Sequence, residues 1–169
     1  SNAKTINFGI VYGVSAFGLS QQTNLNRSES RELIETYYST YPKLRGYIQD
    51  QVDFARENGY VATVLGRRRY LKDINSQNAI IRGASERNAV NAPIQGSAAD
   101  IIKLAMISIQ KEIRSGKWKS RMLLQVHDEL VFDVPKLELE AFKIVVKEKM
   151  ENAFKIDVPL IVDVGVGTN

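Results

Sequence analysis

Residues Arg121 to Val134 read R-M-L-L-Q-V-H-D-E-L-V-F-D-V and constrain the fold more than any other stretch. Met122, Leu124 and Val126 alternate with their neighbours ahead of three polar residues, His127, Asp128 and Glu129. Leu130, Phe132 and Val134 alternate in the same way behind them. Period-two patterning on both sides of a polar break predicts a β-hairpin with its tip at that triplet. The tip lacks the Asn-Gly or Asp-Gly pair that favours such turns. Something other than turn preference therefore bears on the choice of an acidic pair. Neighbouring carboxylates on a rigid hairpin repel one another, and a hard divalent cation relieves the repulsion. The alternative is a solvated acidic turn beside a surface histidine. On these residues alone that is the better reading, because short motifs recur by chance.

The chain has 169 residues, enough to bury a core as one domain or as parts of two. Its net charge of +4 permits nucleic-acid binding without demanding it. There is no cysteine, which excludes disulfides and thiolate-bound zinc. His127 is the one histidine, so a multi-histidine metal site is excluded as well. Any metal must sit on carboxylate oxygens, as magnesium, manganese or calcium do. No apolar run approaches the roughly 20 residues that span a bilayer. The opening Ser1-Asn2-Ala3 reads as a remnant of cloning. With no targeting segment visible, the expectation is a soluble, cytoplasmic protein away from membranes.

In the first stretch, Lys4, Phe8 and Tyr12 stand at i, i+4, i+8 and share one face of a predicted helix. A cation, an aromatic plate and a phenol on one face suit a nucleotide, with phosphate at Lys4 and base or sugar against the rings. A buried aromatic stripe with a snorkelling lysine fits the spacing better. Gly9, Gly13 and Gly18 weaken the helix and allow a close approach or a hinge. Asn26 begins the next helix as its N-cap, with Leu33, Ile34, Tyr37, Tyr38 and Tyr41 at helical spacing until Pro42. Leu44, Ile48, Val52 and Ala55 mark another helix, closed by Asn58-Gly59. Residues 60–71 suggest a short hairpin whose three arginines, 67 to 69, hold phosphates or form a solvated basic turn.

Asn75-Ser76 is expected to cap a further helix, on which Arg87, Asn91 and Gln95 again stand at i, i+4, i+8. All three can donate hydrogen bonds to base or sugar edges. Pro93 is expected to kink or end that helix and take Gln95 off the shared face. Gly96-Ser97 is expected to start a new helix with Asp100 in its first turn and Ile101, Ile102, Ala105, Ile109 and Ile113 inward, ending at Ser115-Gly116. Trp118 receives no role. Leu139, Phe142, Val146 and Met150 predict an amphipathic helix, and Leu160, Val162, Val164 and Val166 a last strand with Asp163 facing out. From Ser97 the order is helix, strand, strand, helix, strand. That is a split βαββαβ unit without its first strand, an α+β fold whose antiparallel sheet carries helices on one face. The missing strand leaves a sheet edge open, including to a second copy of the chain.

Three stretches together closely resemble the family A DNA polymerases, and the match covers essentially all of the chain after the remnant. K-T-I-N-F-G-I-V-Y-G resembles the nucleotide-binding fingers helix. A-P-I-Q-G-S-A-A-D-I-I-K resembles the palm helix that follows it. Q-V-H-D-E-L-V-F resembles the palm's catalytic hairpin. Three motifs in the family's order outweigh the bland readings of the hairpin and the aromatic stripe. The resemblance implies a partial fingers subdomain over 4–75 and a partial palm over 76–169. It implies Asp128 as metal-binding catalytic aspartate, Glu129 as its assisting neighbour and His127 at the primer terminus. Lys4 would hold the phosphates of a deoxynucleoside triphosphate, and Phe8 and Tyr12 would pack on its sugar and base. Phenylalanine at position 8 implies discrimination against dideoxynucleotides. Arg87, Asn91 and Gln95 would touch the minor groove of primer–template DNA. Two magnesium ions, or manganese, would assist attack of the primer 3′-hydroxyl on the α-phosphate. The family's further aspartate, in a D-Y-S-x-I-E-L-R-like strand, has no counterpart here, nor has the arginine one turn before Lys4. This chain alone is therefore expected to be inactive. A non-catalytic primer–template binding module and a metal-dependent nuclease on Asp128 and Glu129 are the competing readings.

Overall fold

The computed structural model describes residues 2–168. Ser1, the first residue of the expected cloning remnant, lies outside the described residues. The fold is α+β, with helices and two small antiparallel sheets. The chain divides into two compact units, one through Gly96 and one from Ser97.

In the first unit, α1 (Asn2–Val11) turns into α2 (Ala16–Gln22) at Gly13, whose φ of +74° is accessible to glycine at little cost. Val14 seats between two further glycines. A Cβ at Gly9 would stand 3.2 Å from Val14 Cγ1, and one at Gly18 would stand 3.0 Å from Val14 Cγ2. These glycines thus let the Val14 side chain approach the helix backbone closely. α3 (Arg27–Thr40) begins as expected at Asn26, which forms a reciprocal capping box with Glu29. Tyr41 breaks the helix, and Pro42 opens α4 (Pro42–Asn58) at its first position, where a missing N–H costs nothing. Gly59 closes α4 in the left-handed region and feeds the predicted hairpin, β1 (Tyr60–Ala62) and β2 (Arg68–Tyr70). The core of this unit gathers Val52 and Ala55 of α4, Val61 of β1, Leu71 and Ile74, and Ala89 and Val90 of the next helix, α5 (Ala79–Glu112).

α5 corrects three expectations. It runs unbroken over Ala79–Glu112 with Pro93 inside it, so no helix restarts at Gly96-Ser97. A proline within a helix forfeits one backbone bond and crowds the preceding turn, and tertiary packing evidently outweighs that here. Asp100 is consequently a buried mid-helix residue and not a first-turn charge. The N-terminal cap is Asn78, whose Oδ1 accepts from the N–H of Ile80 and Ile81 at 2.9 and 3.4 Å. Of the expected pair, Ser76 Oγ accepts from the N–H of Asn78, and Asn75 donates to Arg56 O.

In the second unit α5 ends in a wide turn over Ile113–Lys117, with Gly116 at φ +84°. The central hairpin follows as β3 (Arg121–Val126) and β4 (Glu129–Asp133), and α6 (Leu139–Glu151) packs against it. A bulge at Leu123 shifts the register from Met122↔Phe132 to Leu124↔Val131. One extra residue moves every later side chain of the strand to the other face. Met122 therefore faces the core with Leu130, Phe132 and Val134, whereas Leu124 and Val126 are exposed with Val131, contrary to strict alternation. Ile109, Phe142 and Val146 form the buried centre. Trp118, given no role from sequence, stacks edge-on to Phe142 at 5.2 Å and donates to Glu112 Oε1 at 3.4 Å. The expected last strand does not form. Residues 159–166 have no ladder partner among the described residues, and apolar alternation without a neighbouring strand does not make a sheet. Val162 instead donates its N–H to Glu151 Oε1 at 3.1 Å, and Asp163 is exposed as expected.

Candidate functional site

The residues singled out from sequence fall into both units, Lys4 to Gln95 in the first and His127 to Glu129 in the second. On α1, Ile10 is fully buried and its carbonyl accepts from Tyr38 Oη, which fixes the opposite face outward. That outward face carries Lys4 and Phe8. Phe8 is 51% exposed, so the aromatic stripe is no core seam. Lys4 Nζ stands 5.7 Å from the Phe8 ring centre, within cation–π range. Tyr12, in the turn after α1, stacks on Phe8 with ring centres 6.0 Å apart and planes at 29°. The three side chains make a continuous edge of cation, ring and phenol.

On α5 the unbroken helix keeps Arg87, Asn91 and Gln95 on one face, so Pro93 does not displace Gln95. Arg87 and Gln95 are exposed and Asn91 is half-buried. Asn91 Oδ1 is buried without a hydrogen-bond partner among the described residues. A buried polar atom left unpaired costs free energy, and partnered buried atoms are the rule.

At the hairpin tip the loop is two residues, His127 and Asp128, and Glu129 already pairs with Val126 as the first residue of β4. His127 has φ +54°, the one positive value among the described non-glycine residues. A left-handed non-glycine residue costs about 1–2 kcal/mol, so the turn is held by its surroundings. Gln125 Nε2 donates to His127 O at 2.9 Å and clasps the loop from within β3. His127, Asp128 and Glu129 are all exposed. Two adjacent carboxylates are hard oxygen donors of the type magnesium prefers. No three His, Asp or Glu side chains come together as a metal cluster among the described residues. Among the described residues, no third such side chain joins Asp128 and Glu129.

At the other end of the hairpin, Glu138 accepts from Ser120 Oγ at 2.7 Å and from the N–H groups of Lys119 and Ser120 at 2.8–3.0 Å. The Ser120 hydroxyl and these amides hold its carboxyl below the ordinary glutamate value, against a smaller opposing effect of desolvation. This clasp fixes the entry to β3. Neither Glu138 nor Gln125 stood out in the sequence, because a side chain bonding to backbone leaves no periodic signal.

The sequence model of DNA polymerase family A matches residues 1–169. The chain belongs to DNA polymerase family A. It is 49% identical over 169 residues to DNA polymerase I of Caldicellulosiruptor bescii, covering 100% of this chain and 20% of that relative. To DNA polymerase I of Streptococcus pneumoniae it is 51% identical over 166 residues, covering 98% of this chain and 19% of the relative. Its structure is similar to the POL domain of Pol1 from M. smegmatis, solved in complex with DNA primer-template and dNTP. The TM-score is 0.90 at 48% identity, over 94% of this chain and 28% of that one. This family A chain therefore spans about a fifth of the length of the DNA polymerase I relatives it matches.

Proposed function

We propose that this chain is the fingers and palm part of a DNA-directed DNA polymerase that extends a primer on a template, in bacterial replication and repair. Residues 4–75 belong to the fingers and residues 76–169 to the palm. The compact units divide later, at Gly96, because the first half of α5 packs Ala89 and Val90 into the core with Val52 and Ala55 of α4, Val61 of β1, Leu71 and Ile74. The observation that carries the reading is the exposed edge of Lys4, Phe8 and Tyr12 on α1, in a chain of this family. Lys4 holds the phosphates of the incoming deoxynucleoside triphosphate, and Phe8 and Tyr12 pack on its sugar and base. Arg87, Asn91 and Gln95 meet the minor-groove acceptors that all correct base pairs share, so they test pair shape without reading sequence. His127 contacts the primer terminus from the strained turn.

Asp128 and Glu129 fit a divalent metal by donor type, with Asp128 as the ligand and Glu129 assisting. Magnesium or manganese, two ions in the complete site, would lower the pKa of the attacking 3′-hydroxyl and neutralise the triphosphate when bound. No helix among the described residues is long and apolar enough to cross a membrane.

The test is magnesium-dependent primer extension by a protein lengthened to match its relatives, beside its Asp128→Ala copy. Templated incorporation that the substitution abolishes is the expected result, and the 169-residue chain by itself is expected to incorporate nothing. A non-catalytic primer–template binding module is the second reading, favoured by the lack of a third clustered carboxylate among the described residues. It predicts no incorporation by the longer protein and salt-dependent DNA binding indifferent to Asp128→Ala.

A further inference from the structure

One surface of the first unit takes no part in the sites above. Along β1 and β2 the register pairs Tyr60 with Tyr70 and Ala62 with Arg68, which sets these four side chains on one face of the hairpin. The Tyr60 and Tyr70 rings stand 5.9 Å apart. Phe54 of α4 meets Tyr60 edge-on at 5.6 Å. The Arg68 guanidinium lies 4.4 Å from the Tyr60 ring centre. The cluster is no core seam, since Tyr70 is 66% exposed, Phe54 41% and Arg68 exposed as well. Val61, on the opposite face, is fully buried and anchors the hairpin to the core. Between Tyr60 and Lys72 the chain carries Arg67, Arg68, Arg69 and Lys72 and no carboxylate. Arg68 forms no ion pair among the described residues.

We propose that Phe54, Tyr60, Arg68 and Tyr70 form a stacking platform for unpaired nucleobases, a binding site for single-stranded nucleic acid. Two features select this occupant. Open aromatic faces beside cations are what an unpaired strand requires, because every base has a π-face and every linkage a negative charge. A duplex keeps its bases stacked and offers the rings nothing. An apolar partner would leave the desolvated guanidinium without a counter-charge. Tyr70 presents the free ring. Arg68, with one face on Tyr60, presents its other face to a second base and its N–H groups to the backbone. The site uses none of the residues assigned to nucleotide or primer–template binding, so it stands or falls separately from the polymerase reading.

The experiment measures fluorescence polarisation of the 169-residue chain with a labelled oligodeoxythymidylate of about 12 nucleotides. A strand of the same length built from abasic tetrahydrofuran linkages supplies the phosphates without the bases. The wild-type chain is expected to bind the thymidylate strand more tightly than the abasic one. Tyr70→Ala is expected to weaken thymidylate binding about tenfold and leave abasic binding within about twofold, in line with the loss of one base–aromatic stack. Arg68→Ala is expected to weaken both. Tyr70→Phe keeps the ring and is expected to bind as wild type, which separates loss of stacking from loss of fold. Equal binding of the two strands, or thymidylate binding indifferent to Tyr70→Ala, would overturn the proposal. So would a loss for Tyr70→Phe as large as for Tyr70→Ala. Failure of the longer protein to extend primers, with this behaviour intact, would sink the polymerase reading alone.

Discussion

Two residues of the second unit act on stability in opposite directions, and each yields a prediction. His127 sits at φ +54°, where glycine is at ease and an imidazole-bearing residue is not. His127→Gly should relieve that strain and leave the unfolding free energy from urea titration unchanged or higher, by up to about 1 kcal/mol. The same variant in the longer protein should bind primer–template less well. A marked fall in stability would mean that the histidine ring holds the turn rather than strains it. Glu138 works the other way, since its clasp on Lys119 and Ser120 stabilises the folded chain. Its folded pKa lies below the ordinary value of 4.5, so its contribution is fully present above that value. The contribution fades as pH falls through the depressed folded value. Urea titrations below pH 5 should therefore show a steeper loss of stability in the wild type than in Glu138→Gln. Parallel curves would show that the negative charge of Glu138 contributes nothing to stability.

Among the elements, capping was legible where side chain and helix start lie close together in sequence. Asn26 and Glu29 reciprocate within three residues, and Asn26→Ala should cost about 1 kcal/mol in thermal or urea unfolding. No change would mean that α3 is held by its packing alone. Other starts and stops were hidden. Asn75, Ser76 and Asn78 can all cap, and only the fold chose Asn78 for α5. Pro93 carries the local signal of a helix end, yet α5 passes through it, because burial of Ala89 and Val90 on one side and Ile109 on the other rewards continuity. The bulge at Leu123 is silent in a run of apolar residues, since either register places hydrophobic side chains on both faces. The last strand read clearly as alternation and still did not form, because a strand is a property of a pair. The Lys4, Phe8 and Tyr12 face was legible as spacing. Whether it faced core or solvent was decided by Ile10, whose burial turns the stripe outward.

At the scale of the molecule, two separate cores make separate stabilities. The first rests on seven buried residues, from Val52 to Val90, spread over α4, β1, the segment after β2 and α5. The second rests on Ile109, Phe142 and Val146, with the far face of its hairpin bare at Leu124, Val126 and Val131. Fewer buried apolar groups mean a lower local opening energy, so the amides of β3, β4 and α6 should exchange with solvent faster than those of α4. Phe142 is the largest fully buried side chain and meets both Trp118 and Phe132 edge-on. Phe142→Ala should cost about 3–5 kcal/mol locally, much of what a core this small can supply. Hydrogen exchange read by mass spectrometry should then show β3, β4 and α6 losing protection, while peptides of α3 and α4 keep theirs. Val61→Ala should do the reverse, loosening α4 and β1 and sparing α6. If either substitution lowers protection evenly along the chain, the two units unfold as one cooperative body and α5 transmits stability from one core to the other.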